Sequence, residues 1–199
     1  MNEFDLKSLV GLTLRSPMTA GRVILAANLP VPARWASAVV IVALAGILAW
    51  IALSMLPVPV GDDASVPLAW IGSQPLLRSG LQLLAVVLTA GLMAGVGRMF
   101  GGQGWFEDAL ILTVWVEAML LIIQLVQVLT LPLAPQLSAM LSFVSIGLFF
   151  HLTVQFTKVL HGFHSGWKVL LAMIGTMLVF GFLLSFIAAA FGLLPEVPA

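Results

Sequence analysis

The chain has 199 residues, 61% of them hydrophobic and 8% charged, and its eight Lys+Arg balance eight Asp+Glu. Soluble domains run about 45–50% apolar and about 25% charged, so this composition excludes an ordinary soluble domain, and disorder needs the opposite bias. Zero net charge supplies no basic field for nucleic acid, and zero Cys removes disulfides, thiolate metal sites and a Cys nucleophile. What remains is an all-α, polytopic membrane protein.

Residues 1–34 read as a cytoplasmic, amphipathic leader. Met1–Asp5 is acidic where a secretory leader would be basic, so no cleavable signal is expected. Leu6, Leu9, Val10 and Leu14 recur at near-helical spacing, with Lys7 and Arg15 available to lipid head groups. Ser16-Pro17 reads as a stop and a restart, with Ser16 as N-cap and Pro17 in the first helical position of a short helix reaching Asn28.

Crossing a bilayer takes about 20 apolar residues. Five stretches meet that length: 35–56, 76–100, 109–131, 136–157 and 169–194, with 195–199 left as a tail. Backbone groups in lipid must bond internally, so each is expected to be helical. The first stops at Pro57-Val58-Pro59, and only Leu131-Pro132-Leu133-Ala134-Pro135 parts the third from the fourth, which implies a tight antiparallel pair.

Lys7, Arg15, Arg22, Arg34, Arg98, Lys158 and Lys168 all fall on one side of this topology. The other side holds Arg78, beside Asp62, Asp63 and later Glu196. The positive-inside rule then puts the N-terminus in the cytoplasm and the C-terminus outside.

Glu117 most needs explaining, since it lies roughly 13 Å past Asp108 at helical rise. An intramembrane carboxylate usually faces the protein interior. Thr113, Glu117, Gln124 and Gln127 fall within an arc of about 80° and form a polar stripe. His151 lies roughly 10 Å before Lys158 on the neighbouring span, with Gln155 following it. A Glu117–His151 hydrogen bond or ion pair is therefore expected. It would serve either a proton or substrate path or simple interhelical glue. Glue is preferred, because a few polar side chains do not make a continuous path.

His161-Gly162-Phe163-His164 reads as a surface loop, since two His three apart fall short of a four-ligand metal site. Phe163, Trp167 and Lys168 look like an interfacial anchor. Gly101-Gly102-Gln103-Gly104 lacks the Lys-Ser/Thr of a phosphate loop and reads as a sharp turn, with Glu107-Asp108 favourable at the start of the next helix. Gly91 and Gly95 form a GxxxG, extended by Gly97 and Gly101, that should pack against a helix of this chain or of a partner. Neither a catalytic set nor a cofactor site is expected.

Leu14-Arg15-Ser16-Pro17, the run from Leu29 to Trp35, Gly101-Gly102-Gln103-Gly104-Trp105-Phe106-Glu107-Asp108 and His161-Gly162-Phe163-His164-Ser165-Gly166-Trp167-Lys168 occur in that order. Together they resemble the bacterial branch of the Yip family, five-span proteins named for Ypt/Rab GTPase interaction in eukaryotes. The resemblance covers about residues 8–194. It implies a cytoplasmic N-terminus, an outside or lumenal C-terminus and no catalytic residue. Eukaryotic members are associated with vesicle trafficking and membrane shaping. The DLYGP signature and the long acidic N-terminal region are absent here, so Rab binding is not carried over.

The expectation is a non-enzymatic protein of a bacterial inner membrane that organises membrane or partner proteins through helix packing, with the bilayer as its first partner. A small proton-coupled transporter using Glu117, Gln124 and His151 is the alternative from another class. An accessory subunit of a larger complex, or a homo-oligomer, is the third.

Overall fold

The computed structural model describes residues 5–55 and 74–191. Prolines 57 and 59, Asp62, Asp63, the residues before Asp5 and the tail with Glu196 lie outside them. The described residues form seven helices and no strand: α1 (Leu6–Arg15), α2 (Pro17–Ala26), α3 (Val31–Ser54), α4 (Pro75–Met99), α5 (Phe106–Thr130), α6 (Pro135–His161) and α7 (Gly166–Ala190).

Helices α3 to α7 run 24 to 27 residues each and are long and apolar enough to cross a membrane. At 1.5 Å per residue they exceed the roughly 30 Å of hydrocarbon. The first begins at Val31, four residues before the expected start, because Pro32 sits in the first turn where a missing N–H does no harm. Pro17, Pro75 and Pro135 open α2, α4 and α6 in the same way.

Other ends are fixed by side chains or by glycine. The Asp5 carboxylate accepts from the Ser8 hydroxyl at 2.7 Å and the Lys7 N–H at 3.1 Å, which caps α1. Those two donors hold its pKa below the ordinary carboxylate value, the Ser8 hydroxyl contributing most. Ser16 occupies the N-cap position of α2 but makes no capping bond; its hydroxyl pairs with that of Thr19 at 2.8 Å. Gly162, at φ +72°, ends α6 in the left-handed region. The N–H groups of Gly162 and Phe163 both close on the Lys158 carbonyl.

Helix α5 is the centre of the bundle, packing on α3, α4 and α6 and touching α2. It serves two cores. Ile111, Leu112, Val116 and Met119 pack with Leu152 and Phe156 of α6 and with Leu9, Ala20 and Ile24 of the leader. Ala109, Leu110 and Val114 pack with Ala38 and Val42 of α3 and with Val86, Ala90 and Met93 of α4.

The leader is thus part of the core, and the face it buries differs from the expected stripe. Leu9 and Thr13, one turn apart, point inward, whereas Leu6 and Leu14 are exposed. Thr13 Oγ1 donates to the Leu9 carbonyl and accepts from Trp115 Nε1 at 2.9 Å, pinning α1 to α5. Helix α7 is the opposite case. It lies chiefly against α6, and Val169 is its one buried residue.

Candidate functional site

Polar groups inside the spans reach one another, but in pairings that the sequence did not predict. Gln82 Nε2 of α4 donates to Glu117 Oε2 at 3.4 Å. Among the described residues Glu117 and His151 form no hydrogen bond or ion pair, and His151 is exposed on α6. The correction has a simple cause: helical rise gives depth, whereas azimuth decides the partner. Leu152 and Phe156 carry the inward face of α6, and His151 lies off it.

The stripe on α5 divides among three neighbours instead of facing one. Gln124 Nε2 donates to the Ala45 carbonyl of α3 at 3.0 Å. Gln127 Nε2 donates to Ser142 Oγ of α6 at 3.0 Å, and Ser138 Oγ donates back to the Gln127 carbonyl at 3.2 Å. Thr113 is buried, yet its Oγ1 has no protein partner among the described residues, and the buried Oε1 of Gln155 is in the same state.

A charged pair missed by the sequence reading stands where α3 and α5 begin. Arg34 is 6% exposed, and its Nη1 donates to Asp108 Oδ1 at 2.6 Å while Nε donates to the Leu29 carbonyl at 2.7 Å. Trp35 and Phe106 flank the pair with ring centroids 6.2 Å apart. Asp108 therefore does more than favour a helix dipole: it neutralises a buried guanidinium. The signal was available, since an Arg and an Asp each stand at the start of a long span on the same side of the topology.

His161 is the second correction. It is buried at the end of α6 instead of lying on a loop surface. Its Nδ1 accepts from the Gly104 N–H at 3.1 Å, so the ring proton must sit on Nε2, which donates to the Met93 carbonyl at 2.9 Å. Glycines make the space. A Cβ on Gly97 would lie 2.1 Å from Nε2, and one on Gly102 2.2 Å from Nδ1 and 2.6 Å from the His161 Cβ. A Cβ on Gly104 would meet Leu160 and His161. Gly101, at φ +86°, turns the chain between them.

Close helix approach inside the bundle uses Gly97 of the expected pattern, but not Gly91 or Gly95. Around Gly91 and Gly95 nothing lies within 4 Å of where a Cβ would stand. At Gly46 of α3 a Cβ would be 2.3 Å from Ser79 Oγ of α4. Among the described residues nothing fills the face that the GxxxG of α4 presents.

The described residues hold no group of three or more His, Cys, Asp or Glu that could bind a metal. No family model, curated protein or solved structure matches the chain.

Proposed function

We propose that this chain is a non-enzymatic, five-span membrane protein of Yip type that organises membrane or partner proteins through helix packing. The observation that carries this is the use made of its intramembrane polar groups. Glu117, Gln124 and Gln127 each bond to a different neighbouring helix, which is how polar side chains hold helices together in lipid. The unfilled Gly91–Gly95 face and the exposed length of α7 supply surface for lipid or for other helices.

The proposed setting is a bacterial inner membrane, with the N-terminus in the cytoplasm and the C-terminus in the periplasm. Lys7, Arg15, Arg22, Arg34, Arg98, Lys158 and Lys168 support this, because helix directions gather them at the leader end, while Arg78 sits in the first turn of α4 at the other. Impermeant labelling of single cysteines at the two termini tests it: labelling of both from one face overturns the topology.

The transporter reading draws on Thr113 Oγ1 and Gln155 Oε1, two buried atoms that water in a cavity could serve. Reconstitution in liposomes separates the readings. Packing predicts no proton or ion flux for the native protein and a lower melting temperature for Glu117→Ala, which removes the acceptor of Gln82 Nε2. Flux in the native protein that Glu117→Gln abolishes would overturn the packing function. In the Cys-free background, Gly91→Cys should crosslink to a second chain; crosslinks confined to its own helices would count against assembly.

A further inference from the structure

The leader and the α6–α7 turn border a half-open cleft of about 260 Å³ that none of the foregoing uses. Three of its lining residues are basic: Arg22 of α2, Lys158 in the last turn of α6 and His164 of the turn. Met18, Val159, Gly162 and Phe163 complete its walls, and no carboxylate is among the lining residues. Among the described residues the one ion pair is Arg34–Asp108, so no described carboxylate is bound to Arg22 or Lys158.

The cleft is built instead of accidental. At Gly21 a Cβ would stand 3.1 Å from a Phe156 ring carbon, so this glycine lets α2 lie close on α6 and sets Arg22 beside Lys158. The Lys158 stem passes Gly166, whose Cβ position is 3.6 Å from Lys158 Cδ. Phe163 stacks on the His161 ring with centroids 5.3 Å apart, and that ring is itself held at both nitrogens. A helix C-terminus would ordinarily present negative carbonyls to an anion. Here the Lys158 carbonyl already accepts from Gly162 and Phe163, which removes one such oxygen from competition.

We infer that Arg22, Lys158 and His164 form a binding site for a phosphate group. The cleft lies where α6 ends and α7 begins, which is the level of lipid head groups once these helices span the bilayer, and basic pockets between helices at that level suit anionic lipids. Apolar walls beside three cationic or donor groups fit the phosphodiester of a lipid with net negative charge, which carries no choline cation to face Arg22 and Lys158. The proposal needs the membrane placement but not the packing function.

The test uses the full chain in zwitterionic detergent, with phosphatidylglycerol, phosphatidylcholine and inorganic phosphate as separate probes and native mass spectrometry as the readout. One phosphatidylglycerol should be retained in preference to phosphatidylcholine, and Arg22→Gln and Lys158→Gln should each weaken retention about fivefold. Arg98→Gln removes one charge, as each of those variants does, from the same end of the bundle but outside the cleft, and should leave retention unchanged. Inorganic phosphate that displaces the lipid at low millimolar concentration assigns the site to free phosphate; lipid retained against it assigns the site to the headgroup. Equal loss in Arg98→Gln would show diffuse surface charge and overturn the site, as would equal retention of the two lipids by the native protein. The lipid comparison needs no substitution, so it stands even where a variant fails to fold.

Discussion

Helices α5 and α7 are both 25 residues long and both apolar enough to cross a membrane, yet they hold opposite places in the protein. Nine residues of α5 are buried inside the bundle, and Val169 alone is buried in α7. Apolarity is common to the two and so cannot be what draws α5 to the centre, since lipid serves a Leu side chain as well as another helix does. The difference lies in groups that lipid cannot serve. Asp108, Trp115, Glu117, Gln124 and Gln127 of α5 each reach an atom of another helix. On α7 the Thr176 hydroxyl bonds back to its own helix, at the Ala172 carbonyl.

The largest expected effect is at the charged seam. Asp108→Ala leaves the Arg34 guanidinium buried without its partner and should lower stability by about 3 kcal/mol, read as a fall in thermal midpoint in detergent. On α7, Leu178→Ala should leave that midpoint unchanged, because the side chain is exposed. A large loss for Leu178→Ala would break the contrast between the two helices.

Glycine substitutions sharpen it further. Gly102→Ala drives a methyl into the root of the His161 side chain and should cost about 2 kcal/mol. Gly175→Ala on α7 meets nothing and should be neutral or stabilising by up to about 1 kcal/mol, since it improves helix propensity.

Thr13→Val removes the acceptor of Trp115 Nε1 and should cost about 1 kcal/mol, seen as faster hydrogen exchange in α1. The smallest effect belongs to Asp5. Its pKa is lowered in the folded chain, so the cap contributes above the ordinary carboxylate value and is lost as pH falls through the lowered one. Exchange in the first turn of α1 should therefore rise on acidification below about pH 4, with no such rise in Asp5→Ala.

Existence and number of the long helices were legible because length and apolarity are summed over many residues and need no partner. The start of α2 was legible from Pro17 for a local reason, its fixed φ. What escaped the sequence was pairing across helices. Glu117 was matched in depth to His151, but the amide that reaches it is Gln82, the one amide in the interior of α4. His161 looked like a loop residue because its last-turn position says nothing of the three glycines that approach it from elsewhere. Gly91 and Gly95 matched a spacing pattern, whereas the glycines under steric demand at the α4 end are set by one imidazole ring.

The seam between Arg34 and Asp108 also bears on how the chain is made. Its two residues are 74 positions apart, so the guanidinium leaves the ribosome long before the carboxylate does. Through that interval the guanidinium has the Leu29 carbonyl, water and head groups as partners, and no carboxylate of α5. The start of α3 is thereby tethered to the surface where it was inserted, and α5 must arrive with its own first turn at the same face before the tether is replaced by an ionic bond.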